Sequence, residues 1–525
     1  MAQAVQHEAS PLRRVGGHKA RLAFRGAGPR KLAVHPGIMG GTYRPLGERD
    51  MERIHATVLD VLETIGMAGA LPILVEAAKA RGCPLDDRGR IHFPRALVED
   101  VIAGAARNFT IRALNPKYDV DLSGTRVHFT VGGEAISVLD FQTGRFRPST
   151  LLDIYNMARL ADGLEHIHRF GAILVPTELP DLFEFAINRT YAMLAGTAKT
   201  SGLSVLKPEY LDAIVALCDT ILGREGAYLR NPFCTVGGCP IVSPLSYGDD
   251  NSGLIIAAAR RGIPTTAVIA SQAGATAPAA LAGALVQNTA ETIAALLMVN
   301  FVRPGHPMIF GNWPFVSDLR TGAFTGGGGE EAVLTAAAAQ MAKFYDLPCS
   351  VGAGMTDSKV PDAQAGYEKG LTTALAGLAG ANLVSESAGM VGSLLGTSFE
   401  AMVIDNDMLG SVQRAIRGIE VTEETLSYDV IKQAVDGPGH FLGSQQTLDL
   451  MESEYLYPTI ADRSTPSEWE EKGALDIRQR AHERAREILS SHYPQNISFE
   501  ADRRIRERFP IRLPSAVMTP RGGRW

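Results

Sequence analysis

The sequence predicts an α/β protein whose centre is a (β/α)8 TIM barrel. From about residue 151, short apolar segments alternate with amphipathic helical segments, and this unit repeats eight times before residue 420. The apolar segments are continuous runs, which is typical of parallel strands buried on both faces. Eight such units in about 250 residues are the usual content of this barrel. An open doubly wound sheet would show the same rhythm, but the chain has no Gly-x-Gly-x-x-Gly motif followed by an acidic residue about 20 positions later.

The eight predicted strands are short segments rich in aliphatic residues and bounded by polar, Gly or Pro loops. They span residues 170–176, 201–206, 233–236, 265–270, 307–310, 348–351, 383–385 and 400–404. Between them, apolar residues at helical spacing predict helices over residues 182–194, 209–222, 252–261, 279–302, 330–345, 363–378 and 408–417.

Shifts in composition divide the chain into four predicted regions. Residues 1–45 form an arm rich in basic residues and glycine. Residues 46–150 mix helical spacing with short alternating strands, which indicates an N-terminal α/β extension. Residues 151–420 carry the barrel, and residues 421–525 turn polar and helical, which indicates a C-terminal helical cover and tail. The basic arm and the charged C-terminal segment favour a homo-oligomer.

Composition and charge argue against several classes of protein. The net charge of −6 and the pI of about 6.1 do not fit a general nucleic-acid binder. No run of 18 apolar residues predicts a membrane span, and the N-terminus lacks the apolar core of a signal peptide, so we expect a cytoplasmic protein. The five cysteines contain no Cys-x-x-Cys pair and no zinc-ligand spacing, as expected in a reducing compartment.

Candidate substrate-binding residues follow the predicted strands, because TIM-barrel active sites lie at the carboxyl ends of the strands. Aromatic faces attract quaternary ammonium groups, and rim carboxylates would hold a cation or exchange a proton. The candidates are Tyr247, Gln272, Asn312, Trp313, Phe315, Gly354, Thr356, Asp357 and Glu386. Asp357 also fits a helix N-cap. Lys359 fits a Schiff-base nucleophile, although its place beyond the strand favours an ion pair with Asp357 or Asp362, and we assign no catalytic residue.

Three segments resemble the trimethylamine methyltransferase family. They are residues 138–150 (VLDFQTGRFRPST), residues 272–291, which begin QAGATAP and end LVQNTAE, and residues 356–369 (TDSKVPDAQAGYEK). The resemblance covers most of residues 45–510. It implies a TIM barrel that transfers a methyl group from a methylated amine to the Co(I) centre of a corrinoid, carried by a small partner protein that docks over the barrel mouth. No cofactor is then expected to bind tightly to this chain itself.

One departure from the family pattern changes the expected substrate. Archetypal members carry pyrrolysine at the barrel centre, which we would look for near residues 354–356, whereas this chain contains only standard residues. The non-pyrrolysine branch, whose known substrates include quaternary amines such as glycine betaine, resembles the chain better. A quaternary ammonium leaves as a neutral tertiary amine, so positioning would supply most of the catalysis. A betaine carboxylate would need a donor, for which Lys359, His306 and Asn312 are candidates.

Three other interpretations stay open from the sequence. The same route could act on trimethylamine. A barrel lyase could use Lys359 as its nucleophile, which borohydride trapping would detect, and a non-catalytic betaine-binding protein could retain the barrel. The sequence does not choose among quaternary amines, since one methylene is worth only ~1–3 kcal/mol in a pocket.

Overall fold

A closed sheet of parallel strands forms the centre of the computed structural model, which describes residues 32–520 and 525. Its regular strands are β1 (Arg126–Phe129), β2 (Ser201–Leu203), β3 (Cys234–Gly238), β4 (Thr265–Ile269), β5 (Met308–Asn312), β6 (Cys349–Gly352) and β7 (Leu383–Ser385). Residues 169–170 lie between β1 and β2 through parallel bridges from Arg169 to Thr130 and from Phe170 to Ser201. They complete the eight strands of the barrel within the described chain, and we call these eight positions staves.

The pairing register confirms the predicted fold class. The pairing can be followed from Ser385 of β7 once around the barrel, from each stave to its neighbour. The path returns to the β7 segment at residue 377, eight residues from its start, so the shear is eight. This is the shear of a TIM barrel. In the described part of the chain, a helix follows each stave: α1 (Leu151–Asp162), α2 (Leu182–Gly196), α3 (Leu211–Ile221), α4 (Asp249–Arg261), α5 (Leu281–Val302), α6 (Gly329–Phe344), α7 (Ala363–Leu378) and α8 (Phe399–Arg417).

Polar caps explain where several of these helices begin. Thr150 and Asp153 form a reciprocal capping box at the start of α1. Asp362 accepts the N–H of Ala365 and caps α7, so the cap that the sequence suggested for Asp357 belongs to Asp362 instead. Each such cap satisfies a backbone donor that the first helical turn leaves free.

The predicted eighth strand is wrong. Residues 400–404 lie within α8, where Met402 and Val403 are buried as part of one continuous helix. The missing stave is β1, which the sequence suggested for the N-terminal extension. Its alternating pattern concealed it, because Val127 lies towards the helix layer while the polar His128 lies on the opposite face at the amino end of the barrel.

A short antiparallel hairpin closes the amino end of the barrel. Its strands are Thr110–Ile111 and Val120–Asp121. Apolar side chains of this hairpin pack against inward side chains of β5 and β7, and together they form a small core separate from the main one. The residues of this core are Ile111, Val120, Leu122, Ile309 and Leu383. Within the described residues, this hairpin therefore plugs the amino end of the barrel.

The remaining elements are mostly short. Before the barrel come Ile38–Met39, Glu48–Asp60, the π-helix Val61–Ile65, Pro72–Lys79, Arg95–Gly104 and the 3-10 turn Pro116–Tyr118. Between the staves lie the strands Ser137–Leu139, Phe146–Pro148, Ile241–Val242, Ser246–Tyr247, Gln272–Ala273, Phe315–Asp318, Ala323–Thr325, Met390–Val391 and Gly396–Thr397, and the helices Pro208–Tyr210 and Ala227–Arg230. After α8 come Tyr428–Asp436, Gln445–Leu450, Pro466–Glu471, Ile477–Ser491, Phe499–Arg508 and Ser515–Met518.

The described residues divide into two compact units, residues 34–420 with 457–520 and 525, and residues 32–33 with 421–456. In the larger unit, helix Ile477–Ser491 packs against α8 and α1, and His482 lies 2.9 Å from Glu400. In the smaller unit, Gln446 donates to the hydroxyl of Ser427 at 2.8 Å. Residues 1–31 of the predicted arm lie outside the described residues, so the arm and the homo-oligomer stay predictions.

Helix α5 is long and apolar enough to cross a membrane by length and composition. However, 89% of its apolar window is buried inside the fold. It packs against β5, β4 and the helices that precede the barrel. We therefore describe it as a core helix.

Candidate active site at the carboxyl end of the barrel

Small residues line the barrel interior towards its carboxyl end. Side chains alternate inward and outward along each stave. Phe310 defines the outward direction on β5, because its ring lies 6.3 Å from that of Tyr345, the residue that follows α6. With a shear of eight, inward positions form layers of four from alternate staves. From the amino side, three successive layers are Thr130, Gly202, Thr266 and Ser350; Gly171, Gly237, Gly311 and Ser385; and Gly132, Ser204, Val268 and Gly352.

These layers leave an open space in the barrel. In most TIM barrels bulky branched residues fill the interior, whereas the middle layer here contains three glycines and one serine. Gly202, Gly237 and Val268 are partly exposed although they lie inside the barrel. We call the space bounded by the three layers the chamber. It opens at the carboxyl end, where TIM-barrel enzymes bind their substrates.

The floor of the chamber carries a buried arginine. By the same register, Arg169, Thr235, Ile309 and Leu383 form the layer below the chamber. Arg169 is 6% exposed, and its Nη2 donates to Thr235 Oγ1 at 2.5 Å. Burial lowers the pKa of Arg169 to about 10, so the guanidinium remains a cation at neutral pH.

An aromatic group forms one wall of the chamber. Trp313 Nε1 donates to Ser350 Oγ at 2.9 Å, and the indole is partly exposed. The ring centroid of Phe315 lies 6.3 Å from that of Trp313. Both rings pack over Gly352, where a Cβ would lie 2.8 Å from Phe315 Cε1 and 3.1 Å from Trp313 Cε3. Glycine at the end of β6 is therefore what lets the rings sit against the barrel rim.

A buried carboxylate, Glu386, follows β7 at the rim. Its backbone has a φ of 65°, a costly conformation for a residue with a side chain. The side chain is 3% exposed, and Oε2 has no hydrogen-bond partner among the described residues. A Cβ on Gly132 would lie 3.0 Å from Oε1, which places the carboxylate beside the upper chamber layer. Burial, with a smaller contribution from the charge of Glu134, raises the pKa of Glu386 to about 8.

Glu134 and Cys239 extend this rim. Glu134 accepts a hydrogen bond from the buried Arg189 at 3.0 Å. Cys239 is the exposed cysteine of the five, and it follows β3 at an inward position. Burial, Glu134 and Glu386 together raise the pKa of the Cys239 thiol to about 11. The thiol is therefore protonated at neutral pH and is a poor nucleophile.

The segment after β6 supports the rim through hydrogen bonds. Thr356 Oγ1 and the Asp357 N–H donate to Glu368 at 2.5 Å and 2.9 Å. Asp357 in turn accepts the Gly326 N–H at 2.9 Å and the Ser393 hydroxyl at 2.6 Å. The side chains of Thr356 and Asp357 thus hold loops in place, which accounts for much of the polar density that the sequence shows here.

Gly354 also supports the rim, because it has no side chain. It has a φ of 94°, and a Cβ there would lie 2.6 Å from the Cα of Ser387. Only glycine lets the end of β6 approach the end of β7 this closely. Gln272 lies on a small sheet with strand Phe315–Asp318, and its Oε1 accepts from Ser317 Oγ at 3.0 Å.

Three sequence-based candidates lie away from the chamber. His306 precedes β5 and so lies at the amino end of the barrel, which corrects its selection as a carboxylate donor. Its Nε2 lies 3.0 Å from the Ile263 carbonyl oxygen, and burial lowers its pKa to about 4. Tyr247 is buried, and its hydroxyl donates to the Ala294 carbonyl of α5 at 3.0 Å. Asn312 faces outward and bonds to Asn288 at 2.5 Å and Thr289 at 3.1 Å.

Lys359 does not fit a buried nucleophile. It is exposed, and its Nζ donates to the carbonyl of Asp357 at 2.7 Å. The residues that the sequence did not select are Arg169, Thr266, Glu134 and Cys239. Glycines at alternate positions of neighbouring staves are the signal that indicates an open interior, and Arg169 directly precedes the first predicted strand. Among residues 32–520 and 525, no group of three or more His, Cys, Asp or Glu could hold a metal ion.

A TIM barrel with a chamber of small residues at its carboxyl end defines the class, a barrel enzyme that acts on a small molecule. The sequence profile of the trimethylamine methyltransferase (MTTB) family matches residues 14–512, and the chain belongs to this family. The chain is 30% identical over 464 residues to the glycine betaine methyltransferase of Desulfitobacterium hafniense (strain Y51), covering 88% of this chain and 96% of the relative.

Other relatives are named as trimethylamine methyltransferases. The chain is 31% identical to the trimethylamine methyltransferase MttB of Desulfitobacterium hafniense (strain DSM 10664 / DCB-2), over 85% of this chain and 90% of the relative. Among solved structures, the monomethylamine methyltransferase (MtmB) of Methanosarcina barkeri matches with a TM-score of 0.45 and 13% identity, over 83% of this chain and 91% of that one. The chain is a methyltransferase, as the resemblance predicted.

Proposed function

We propose that the protein transfers a methyl group from a quaternary amine, glycine betaine or a similar compound, to the Co(I) of a corrinoid on a small partner protein. The observation that carries this proposal is the unpaired Glu386 carboxylate, 3% exposed, beside the chamber. The partly exposed ring of Trp313 and the family membership support it. A carboxylate and an aromatic face are the groups that hold a permanent cation.

The acceptor comes from outside this chain in our proposal. The exposed thiol near the chamber, Cys239, is protonated at neutral pH and so poorly suited to accept a methyl group. When bound, the corrinoid supplies the methyl-accepting nucleophile. The chamber lies at the carboxyl end of the barrel, so the partner protein would dock there. The small partner, the cytoplasmic location and the homo-oligomer remain predictions.

The residues of the chamber need only orient the substrate. A quaternary ammonium that loses a methyl group leaves as a neutral tertiary amine, so no proton has to reach the nitrogen. Trp313 and Glu386 would hold the cation with one methyl group towards the opening, and positioning supplies the catalysis. The fixed cation also favours the ionised form of Glu386, so binding near neutral pH releases a proton from this carboxyl.

The test mixes the protein with a corrinoid-binding protein in its Co(I) state and follows the Co(I) absorbance. The substrates are glycine betaine, proline betaine, carnitine, choline and trimethylamine. We expect loss of the Co(I) signal with at least one quaternary amine, and an equimolar amount of the demethylated tertiary amine by mass spectrometry. Turnover with trimethylamine alone would replace our proposal by the second substrate named among the relatives. No turnover with any amine would overturn both.

A further inference from the structure

We propose that Arg169 binds the carboxylate of a zwitterionic substrate at the floor of the chamber, so that the substrate class is betaines and not quaternary amines in general. This inference rests on the proposed function and adds to it the residue that determines specificity. The donors suggested by the sequence cannot fill this role. His306 lies at the closed end, Asn312 faces α5, and Lys359 is exposed on a turn.

Arg169 is a buried cation that no carboxylate of the described residues neutralises. It is 6% exposed, and no carboxylate of the described residues lies within 4.0 Å of it. Its hydrogen bond to Thr235 uses Nη2, and Nε is buried without a partner. An uncompensated buried charge is strongly unfavourable, and such groups are normally paired. A ligand carboxylate that entered the chamber would supply the missing anion and form charge-assisted hydrogen bonds.

A second unpaired donor lies in the layer directly above. Thr266 is 8% exposed, and its hydroxyl has no hydrogen-bond partner. Its Cβ lies 3.6 Å from the position that a Cβ on Gly237 would occupy, which agrees with its inward direction. Arg169 and Thr266 therefore offer donors to the same part of the chamber from staves on different sides of the barrel.

Glycines make the room that the carboxylate needs. A Cβ on Gly202 would lie 2.5 Å from Nη2 and 3.1 Å from Nη1 of Arg169, so the guanidinium reaches the lowest chamber layer only because residue 202 is glycine. The next layer contains Gly171, Gly237 and Gly311. A Cβ on Gly171 or Gly311 would lie 2.3 or 2.2 Å from a backbone oxygen of the neighbouring stave, whereas a Cβ on Gly237 would have no neighbour closer than 3.6 Å. A ligand carboxylate would therefore lie beside Gly237, above the guanidinium, and Ser385 is the one side chain of this layer.

The cation end of a betaine then lies at the aromatic wall. Trp313 is two residues beyond Gly311 on the same stave, which is a rise of about 5 Å along a barrel with strands tilted by about 36°. In glycine betaine a single carbon separates the carboxylate from the ammonium, so the charges match the spacing between the glycine layer and Trp313. The methyl groups then point to the open end, beside Glu386.

Calorimetry of binding tests this inference without the corrinoid partner. Glycine betaine and tetramethylammonium are titrated into the wild type, Arg169→Met, Arg169→Lys and Thr266→Val, with Lys359→Met as the exposed control. We expect Arg169→Met to weaken the binding of glycine betaine about 100-fold, because the ligand carboxylate would be buried without its charge-assisted hydrogen bonds. The binding of tetramethylammonium should stay within about twofold of the wild type. Arg169→Lys keeps the charge and should retain part of the affinity. Thr266→Val should weaken glycine betaine about tenfold, and Lys359→Met should match the wild type.

The outcomes separate this inference from the proposed function. If Arg169→Met, with a wild-type circular dichroism spectrum, binds glycine betaine as tightly as the wild type, Arg169 is not the carboxylate site. An equal loss of affinity for both ligands would also overturn the inference, because the effect of the substitution would then be structural. If Arg169→Met does not fold, Arg169→Lys and Thr266→Val decide by the same comparison of the two ligands. A wild type that binds neither glycine betaine nor tetramethylammonium would instead contradict the proposed function.

Discussion

Two sets of buried ionisable groups among the described residues differ in whether they are paired. Between α7 and α8, Lys369 and Asp405 are 1% and 4% exposed and lie 2.6 Å apart, and Asp405 also accepts the Gly389 N–H at 2.7 Å. Around the chamber, Arg169 and Glu386 are similarly buried, but neither contacts an opposite charge among the described residues. Buried charges are normally paired. Arg169 and Glu386 line the chamber and lack a charged partner among the described residues, which supports a binding role for them.

We expect the largest change in the free energy of unfolding when one member of the paired set is removed. Lys369→Met leaves Asp405 buried without its cation, and we expect a loss of about 3–5 kcal/mol in the free energy of unfolding. Urea denaturation followed by circular dichroism measures this loss. The double variant Lys369→Met/Asp405→Leu removes both charges and should recover most of it. Arg169→Met, which removes an unpaired charge, should cost less than about 1 kcal/mol by the same measurement. Equal losses for Lys369→Met and Arg169→Met would remove the distinction between the two sets.

The second effect is the pH dependence of cation binding at Glu386. The pKa of about 8 lies above the ordinary value, so most of the carboxyl is protonated at pH 6 and becomes an anion as the pH rises. A cation binds the anion, so the affinity for tetramethylammonium should rise up to about tenfold per pH unit towards pH 8 and level off above it. Calorimetry at pH 6, 7, 8 and 9 measures this. Glu386→Gln should bind weakly and without this slope, and an unchanged slope in the variant would exclude Glu386 as its source.

A smaller effect is expected at the aromatic wall. Trp313→Leu keeps an apolar group over Gly352 but removes the aromatic face, and we expect a loss of about 1–2 kcal/mol in the binding of a quaternary ammonium. Trp313→Phe is the matched control, because it retains an aromatic face and should recover part of the affinity. Tert-butanol, a neutral compound with a tert-butyl group, should bind to the wild type and to Trp313→Leu with the same affinity. Similar losses for the neutral and the charged ligand would indicate lost packing and no cation–π contact.

The smallest effect concerns access to the chamber. Of the five cysteines, Cys239 is the exposed one, so iodoacetamide should modify this residue first, and slowly because the thiol pKa is about 11. A saturating betaine should slow the modification a few-fold by covering the opening. Peptide mass spectrometry identifies the modified cysteine, and Cys239→Ser provides the unlabelled control. Modification at the same rate with and without a bound ligand would place Cys239 outside the substrate path.

Most staves were predictable because aliphatic runs such as residues 265–270 bury both faces of a parallel strand. The stave β1 was not, since the run Arg-Val-His-Phe alternates like a half-exposed strand, and only its pairing with β7 places it in the barrel. The carboxylate at Glu386 was selected correctly as a rim position. Its missing partner could not be predicted, because the absence of a hydrogen bond depends on every neighbour in space.

The class of fold and the family follow from the sequence, because hydrophobic periodicity and motifs in a fixed order are local properties of the chain. Which residues face the chamber depends on the folded barrel. The register and the shear bring Gly171, Gly237 and Gly311 into one layer above Arg169, although they are far apart in the chain. The same packing turns Asn312 outward and leaves His306 at the closed end. Whether a polar residue binds a ligand or supports the fold depends on the partners that folding brings to it.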